Sequence, residues 1–196
     1  MGDYFERIVD VEVPAAEAGA LAERVVDWLV SRRLLSREMS AEGMYSLDVA
    51  EGHLPGAEWR QITREWGDWI PGPVAVIIGR ADHFGGQGAI EPDSAGCPRC
   101  GARTVIIDYP QQWEADPEVW RPFRDAVAAW KRTGTGVVKC ASCDTESPVT
   151  EWQWPAEFAL GALAFDFWGW PPLTDEFIAD LAKQLGHNID HQSGKF

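Results

Sequence analysis

No apolar run of about 18 residues occurs in the 196-residue chain, so a helical membrane span is excluded. The nearest approach, Phe158 to Trp170, is interrupted by Asp166 and stopped by Pro171-Pro172. The signatures of phosphate cradles and serine nucleophiles are missing as well. No glycine loop ends in G-K-[ST], and neither G-x-G-x-x-G nor G-x-S-x-G occurs. Histidine is limited to four scattered residues, too few to make a His-rich metal site without distant convergence. Positive charge is scarce: 17 Lys and Arg stand against 31 Asp and Glu, a net charge of −14. Such a field repels phosphate backbones and anionic lipid, which argues against nucleic-acid and membrane partners and toward a basic protein. Met1 to Asp10 carries Asp3, Glu6, Arg7 and Asp10, leaving no apolar core for a secretory signal there, so a cytoplasmic location is expected.

Cysteine is sparse but organised. All four cysteines lie in two pairs of one spacing, Cys97-Pro98-Arg99-Cys100 and Cys140-Ala141-Ser142-Cys143. Four thiolates in two C-x-x-C knuckles supply the ligands of a closed tetrahedral Zn²⁺ site, and one structural zinc ion is expected. Disulfides suit oxidising compartments and small domains short of core. A redox C-x-x-C normally occurs once, at a helix start. Iron–sulfur ligation by four cysteines stays open chemically. A closed four-thiolate site has no free coordination position and does no chemistry on its own, and it removes free cysteine nucleophiles from consideration.

Thirty-nine residues separate Cys100 from Cys140, against about 15–20 in compact four-cysteine sites. Within that surplus, Phe123, Val127 and Trp130 recur at i, i+4 and i+7, and Gly134 follows, predicting a helix over Val119 to Arg132. Pro122 then belongs to its first turn or marks a break after Pro117. Strand-like runs, Thr104 to Ile107 and Gly136 to Lys139, flank the knuckles and are expected to lie side by side, aiming a strand that carries Trp152 and Trp154. On these residues, with the glycine of Cys-Pro-Arg-Cys-Gly, the stretch from about Gly96 to Trp154 resembles a zinc ribbon with a helical insertion. The resemblance covers under a third of the chain. It implies a metal-stapled β module and no particular activity.

Elsewhere, alternation over Tyr4 to Val13 predicts a half-buried strand, with Val9, Val11 and Val13 on one side and Asp10 and Glu12 on the other. Leu21, Val25, Trp28 and Leu29 form the stripe of a helix from Ala15 to about Leu35. Ser36 to Pro73 is hard to read, with strand pieces expected near Tyr45 to Val49. Val74 to Ile78 reads as a central strand entering a glycine-rich loop, Gly79 to Gly88. Phe158 to Phe167 fits a helix or a buried strand. Thr174 caps a terminal helix with the stripe Phe177, Ile178, Leu181 and Leu185, closed by Gly186, and Asn188 to Phe196 suits a last strand. The expected fold is α+β: one domain over 1–196, a small mixed or antiparallel sheet with two or three packed helices, and an inserted module over 96–154.

The function expected from this pattern is binding rather than catalysis. Ala141 to Ala182 contains no Lys or Arg, eight acidic residues and eight Trp or Phe. Trp152, Trp154, Trp168 and Trp170, with Glu151 and Asp166, are the expected docking surface for a basic protein, although any single Trp defaults to core. Each i, i+2 tryptophan pair would present both rings on one face of a strand, and Trp66 and Trp69 would share a helical face. An inhibitor, immunity-type or adaptor role follows. The alternative is an enzyme using Asp82 and His83 in the glycine-rich loop; a nucleic-acid-binding ribbon meets the wrong charge.

Overall fold

The computed structural model describes residues 4–46, 48–64, 70–85 and 91–195. The chain divides into two compact units: Met1–Gly79 with Gly85–Gln87 and Gly161–Phe196, and Arg80–Phe84 with Gly88–Leu160. Trp66, Trp69 and the Gly86 to Gly88 part of the glycine-rich loop lie outside the described residues. The fold is α+β, with three helices and an antiparallel six-stranded sheet among the described residues. None of these helices is long and apolar enough to cross a membrane.

The first unit holds β1 (Tyr4–Asp10), β2 (Leu35–Ser40), β3 (Gly52–Pro55), β10 (Ile189–Lys195) and the larger parts of β4 (Val74–Phe84) and β9 (Phe158–Trp168), whose residues 80–84 and 158–160 belong to the second unit. The six-stranded sheet has the order β10-β1-β9-β4-β3-β2. Helices α1 (Ala15–Ser31) and α3 (Asp175–Leu185) contribute Leu21, Val25, Leu29, Phe177 and Leu181 to one core with Ile8, Leu163, Phe165 and Phe167. The α3 signals act as expected: the Thr174 hydroxyl accepts the Phe177 N–H, and Gly186 closes the helix at φ 77°. β9 resolves the ambiguity of Phe158 to Phe167. It is a strand buried along its whole length, which is why its sequence is continuously apolar rather than alternating.

β1 is not half-buried, because Phe5 through Asp10 are all inside. Its polar positions are matched by partners distant in sequence. Arg7 faces Asp166 in register and donates two hydrogen bonds of 2.6 Å to it. His191 Nε2 lies 2.6 Å from Glu6 Oε2, and His187 Nδ1 lies 2.8 Å from Asp10 Oδ2. The strand stops at Asp10, whose carboxylate accepts the N–H groups of Glu12 and Val13 and turns the chain, so Val11 is exposed. Helix α1 likewise ends at Ser31, ahead of Arg33 in the left-handed region (φ 59°), and Leu35 opens β2. The strands of the unreadable segment are β2 and β3; no strand is described at Tyr45 to Val49.

The second unit holds β5 (Ser94–Gly96), β6 (Arg103–Val105), α2 (Pro117–Thr133), β7 (Val137–Lys139) and β8 (Glu146–Pro148). Its core is aromatic: Trp120, Phe123 and Trp130 of α2 meet Val138, Val149, Trp152 and Phe158. Asp116 caps α2 by accepting the N–H groups of Glu118 and Val119, Pro117 takes the first position, and Gly134 ends it at φ 84°. Pro122 is accommodated inside α2 without a break. Thr104 to Ile107 does not lie beside Gly136 to Lys139. β6 pairs with β5 and β7 with β8, two separate hairpins each adjoining one knuckle. Trp152 and Trp154 lie on no strand, and only Gln153 between them bridges to Gly96.

Candidate metal centre

Each knuckle folds by the same local rules. In the first, Gly101 donates its N–H to the Cys97 carbonyl (3.0 Å) and Cys97 donates its own to Ala102 (2.9 Å). In the second, Asp144 donates to the Cys140 carbonyl (2.9 Å) and Cys140 donates to Thr145 (3.0 Å). Both turns need a left-handed residue just after the second cysteine, Gly101 at φ 72° and Asp144 at φ 58°. The tight turn aims a backbone N–H at the leading sulfur, from Arg99 to Cys97 Sγ and from Ser142 to Cys140 Sγ, each at 3.4 Å. Such N–H···S contacts offset thiolate charge in the surroundings of a metal.

The two turns bring all four sulfurs within 4.8 Å of one another. Cys97 Sγ lies 3.9 Å from Cys143 Sγ, and Cys100 Sγ lies 3.8 Å from Cys140 Sγ. A tetrahedron of Zn–S bonds of about 2.3 Å has edges of about 3.8 Å, so the spacing is that of four thiolates around one ion. It is far from the ~2.05 Å of a disulfide. Cys97 and Cys140 are buried, Cys143 is intermediate and Cys100 is exposed.

The thiols differ in acidity. N–H groups of the first knuckle lower Cys97, the Thr145 N–H and hydroxyl hold Cys143 down to about 6, and Cys100 is pushed up to about 12. At Cys100 the Ala102 N–H pulls the other way and is outweighed by burial and the three neighbouring thiols. A divalent cation resolves this conflict, because binding expels the remaining protons. Around the centre, Arg99 donates to Glu151 (3.1 Å) and Lys139 lies 3.0 Å from Asp144.

The other expected site residues do not converge on a surface. Trp152, Trp168, Trp170 and Asp166 are buried, so their side chains belong to the interior and the expected docking face is corrected accordingly. Trp154 is half-buried and donates to the Val149 carbonyl, while Glu151 is exposed but engaged by Arg99. Trp168 and Trp170 do not share a face. Gly169 between them takes φ 66°, which breaks the alternation, so Trp168 packs on Phe5 and Trp170 packs on Phe167. Asp82 and His83 sit on β4, which takes in residues 79–84 of the segment read as a loop. Successive strand residues point to opposite sides; His83 is buried, and Asp82 takes Lys131 at 2.5 Å, so the two do not form an acid–base pair.

Sequence reasoning missed Trp113, which is 76% exposed beside Tyr109. The available signal was the run Asp108-Tyr109-Pro110-Gln111-Gln112-Trp113-Glu114, which follows neither helical nor strand periodicity. Against known proteins, no family model, curated protein or solved structure matches the chain.

Proposed function

We propose that this chain is a non-catalytic binding protein whose second unit is held together by one structural Zn²⁺ on Cys97, Cys100, Cys140 and Cys143. The observation that carries the reading is the four-sulfur cluster, whose 3.8 and 3.9 Å edges suit a closed tetrahedral ion. Paired knuckles, each adjoining a two-stranded hairpin, support the likeness to a zinc ribbon with α2 inserted between them. With four ligands supplied by protein, the ion keeps no position for substrate, and its contribution is folding energy. The role we assign is docking of a basic protein, as an inhibitor, immunity-type protein or adaptor in the cytoplasm. Its support is the net charge of −14, which four thiolates and one divalent ion would take to about −16.

Native mass spectrometry of the purified chain should give a mass exceeding the apoprotein by one zinc, and Cys97→Ser should remove it. Elemental analysis returning iron, or no metal, would reject the zinc centre. The docking role predicts a specific basic protein retained at low salt and released as salt rises; a partner with acidic surfaces, or one indifferent to salt, counts against it.

A further inference from the structure

Among the described tryptophans, Trp113 alone is exposed. It sits in a loop tied at its base, where Asp116 donates its N–H to the Ile106 carbonyl at 2.8 Å. Ile106 and Ile107 are buried on one side of the tie and α2 starts on the other, so the loop is mounted on the second unit's core. Compact surface loops with joined ends are frequent functional elements. Every residue from Asp108 to Glu114 is exposed, yet the loop is ordered within itself: the Asp108 carbonyl accepts the N–H groups of Gln111 (2.8 Å) and Gln112 (3.1 Å). Tyr109 and Trp113 stand with ring centroids 5.0 Å apart and planes at 64°. Nothing in the fold needs these rings in water, where a large aromatic gives up its burial energy. A depression of about 380 Å³ adjoins Trp113, lined by Gln112, Glu114, Ala115, Asp116 and Pro117.

Charge selects the occupant. From Thr104 to Trp120 there is no Lys or Arg. The cations that flank this stretch are engaged, Arg103 with Asp93 and Arg121 with Glu118, and Asp116 is used as the α2 cap. Among the described residues, Asp108 and Glu114 have no ion-pair partner and flank the two rings in sequence. We propose that the loop from Asp108 to Glu114 is the docking site for an arginine side chain of a basic protein partner, its guanidinium lying on the Tyr109–Trp113 pair and its charge facing Asp108 and Glu114. Arginine suits the site better than lysine because its planar, weakly hydrated head stacks on aromatic faces while still donating to carboxylates. The inference rests on the basic-partner reading above and gives it an address.

The test is isothermal titration of the full zinc-loaded chain with three peptides of equal length: an Arg-Gly repeat, a Lys-Gly repeat and a Gln-Gly repeat. The Arg-Gly peptide should bind most tightly and the Gln-Gly peptide least. Trp113→Ala and Tyr109→Ala should each weaken Arg-Gly binding by about tenfold, as aromatic hot spots do. Trp113→Tyr should largely retain it. Combined Asp108→Asn and Glu114→Gln should weaken binding about threefold and flatten its salt dependence. All these side chains are exposed, so thermal midpoints should stay at the parent value and separate a lost site from a lost fold. If Trp113→Ala binds the Arg-Gly peptide as the parent does, the loop assignment is overturned while the basic-partner reading stands. If the Gln-Gly peptide binds as tightly as Arg-Gly, the assignment also fails, because the surface is then merely sticky. If the parent binds none of the peptides, the loop assignment is overturned, and the basic-partner reading is decided by the salt-dependent retention of a specific protein.

Discussion

The two units solve the same problem by different means. The first holds four whole strands, most of β4 and β9, and two helices, and its hydrophobic core runs from Ile8 to Leu185. The second has one long helix and two hairpins of three-residue strands, elements too short to be stable by strand pairing alone. Its aromatic core is anchored on α2, and the cysteine cluster joins the two knuckles that extend from the hairpins. Charge divides unequally too: the first unit's sequence carries 19 acidic and 9 basic residues, the second 12 and 8. A large unit can hide its polar pairs in a sheet, whereas the small one gathers four cysteines that, on the reading proposed above, a metal ion staples. The difference predicts where each is vulnerable.

The largest effect should follow metal removal. Structural zinc contributes apparent binding free energies on the order of 10 kcal/mol, comparable to the whole stability of a domain. Chelation or Cys140→Ser should therefore abolish hydrogen-exchange protection in α2 and β7 while β1 and residues 161–168 of β9, in the first unit, keep theirs. Equal loss of protection in β1 and α2 would break the comparison, since it would make the staple essential to both units.

Next in size is the buried pair of the first unit. Asp166 is fully buried; burial pushes its carboxyl up, against the pull of the Arg7 guanidinium. Arg7→Ala would strand that carboxyl inside the sheet at a cost of about 3–5 kcal/mol. Replacing both partners, Arg7→Met with Asp166→Leu, should recover most of the loss, because an apolar pair of similar size needs no compensation. Chemical denaturation of the single and double variants measures this; a double variant as unstable as Arg7→Ala would mean that the pair is needed for more than its own neutralisation.

These two weak points were not equally legible in the sequence. The cysteine cluster is local chemistry: identical spacing within each pair reveals the ligands, and the fold has only to bring two knuckles together. The Arg7–Asp166 pair spans 159 positions, so polar residues on β1 read as a solvent face when they are matched partners. Local signals served well where they act locally, as at Thr174 and Gly186 around α3 or Gly134 after α2. They failed where one glycine changed direction unannounced. Gly169 sends Trp168 and Trp170 apart, and Gly79, at φ 120°, lies inside β4 where a loop was expected. Trp113 was overlooked because tryptophan density pointed to 152–170, and density tracks core more often than surface.

A smaller effect sharpens the likeness of the two knuckles. Gly101 and Asp144 occupy equivalent left-handed positions, and only the glycine does so without strain. Asp144→Gly should stabilise the second unit by about 0.5–1 kcal/mol, less the small contribution of its exposed contact with Lys139. Gly101→Ala should destabilise by about 1–2 kcal/mol, since a Cβ is disfavoured there. Thermal midpoints of the two variants moving in the same direction would show that the knuckles are not equivalent.

The smallest expected effect is a pH dependence confined to the first unit. His53 on β3 is half-buried, with Nδ1 3.2 Å from the Ser36 carbonyl oxygen. Burial lowers its pKa below 6.5, assisted by Arg37, and the Ser36 contact opposes the shift without cancelling it. A depressed folded value means that the unfolded chain takes up the proton more readily. The contribution of His53 is therefore present above pH 6.5 and is lost as pH falls through the folded pKa. His53→Gln, measured by denaturant midpoints on either side of that window, should shallow the acid-side decline of the first unit and leave the exchange protection of α2 unchanged. A decline as steep in the variant as in the parent would move the acid sensitivity to other groups and remove His53 as the difference between the units.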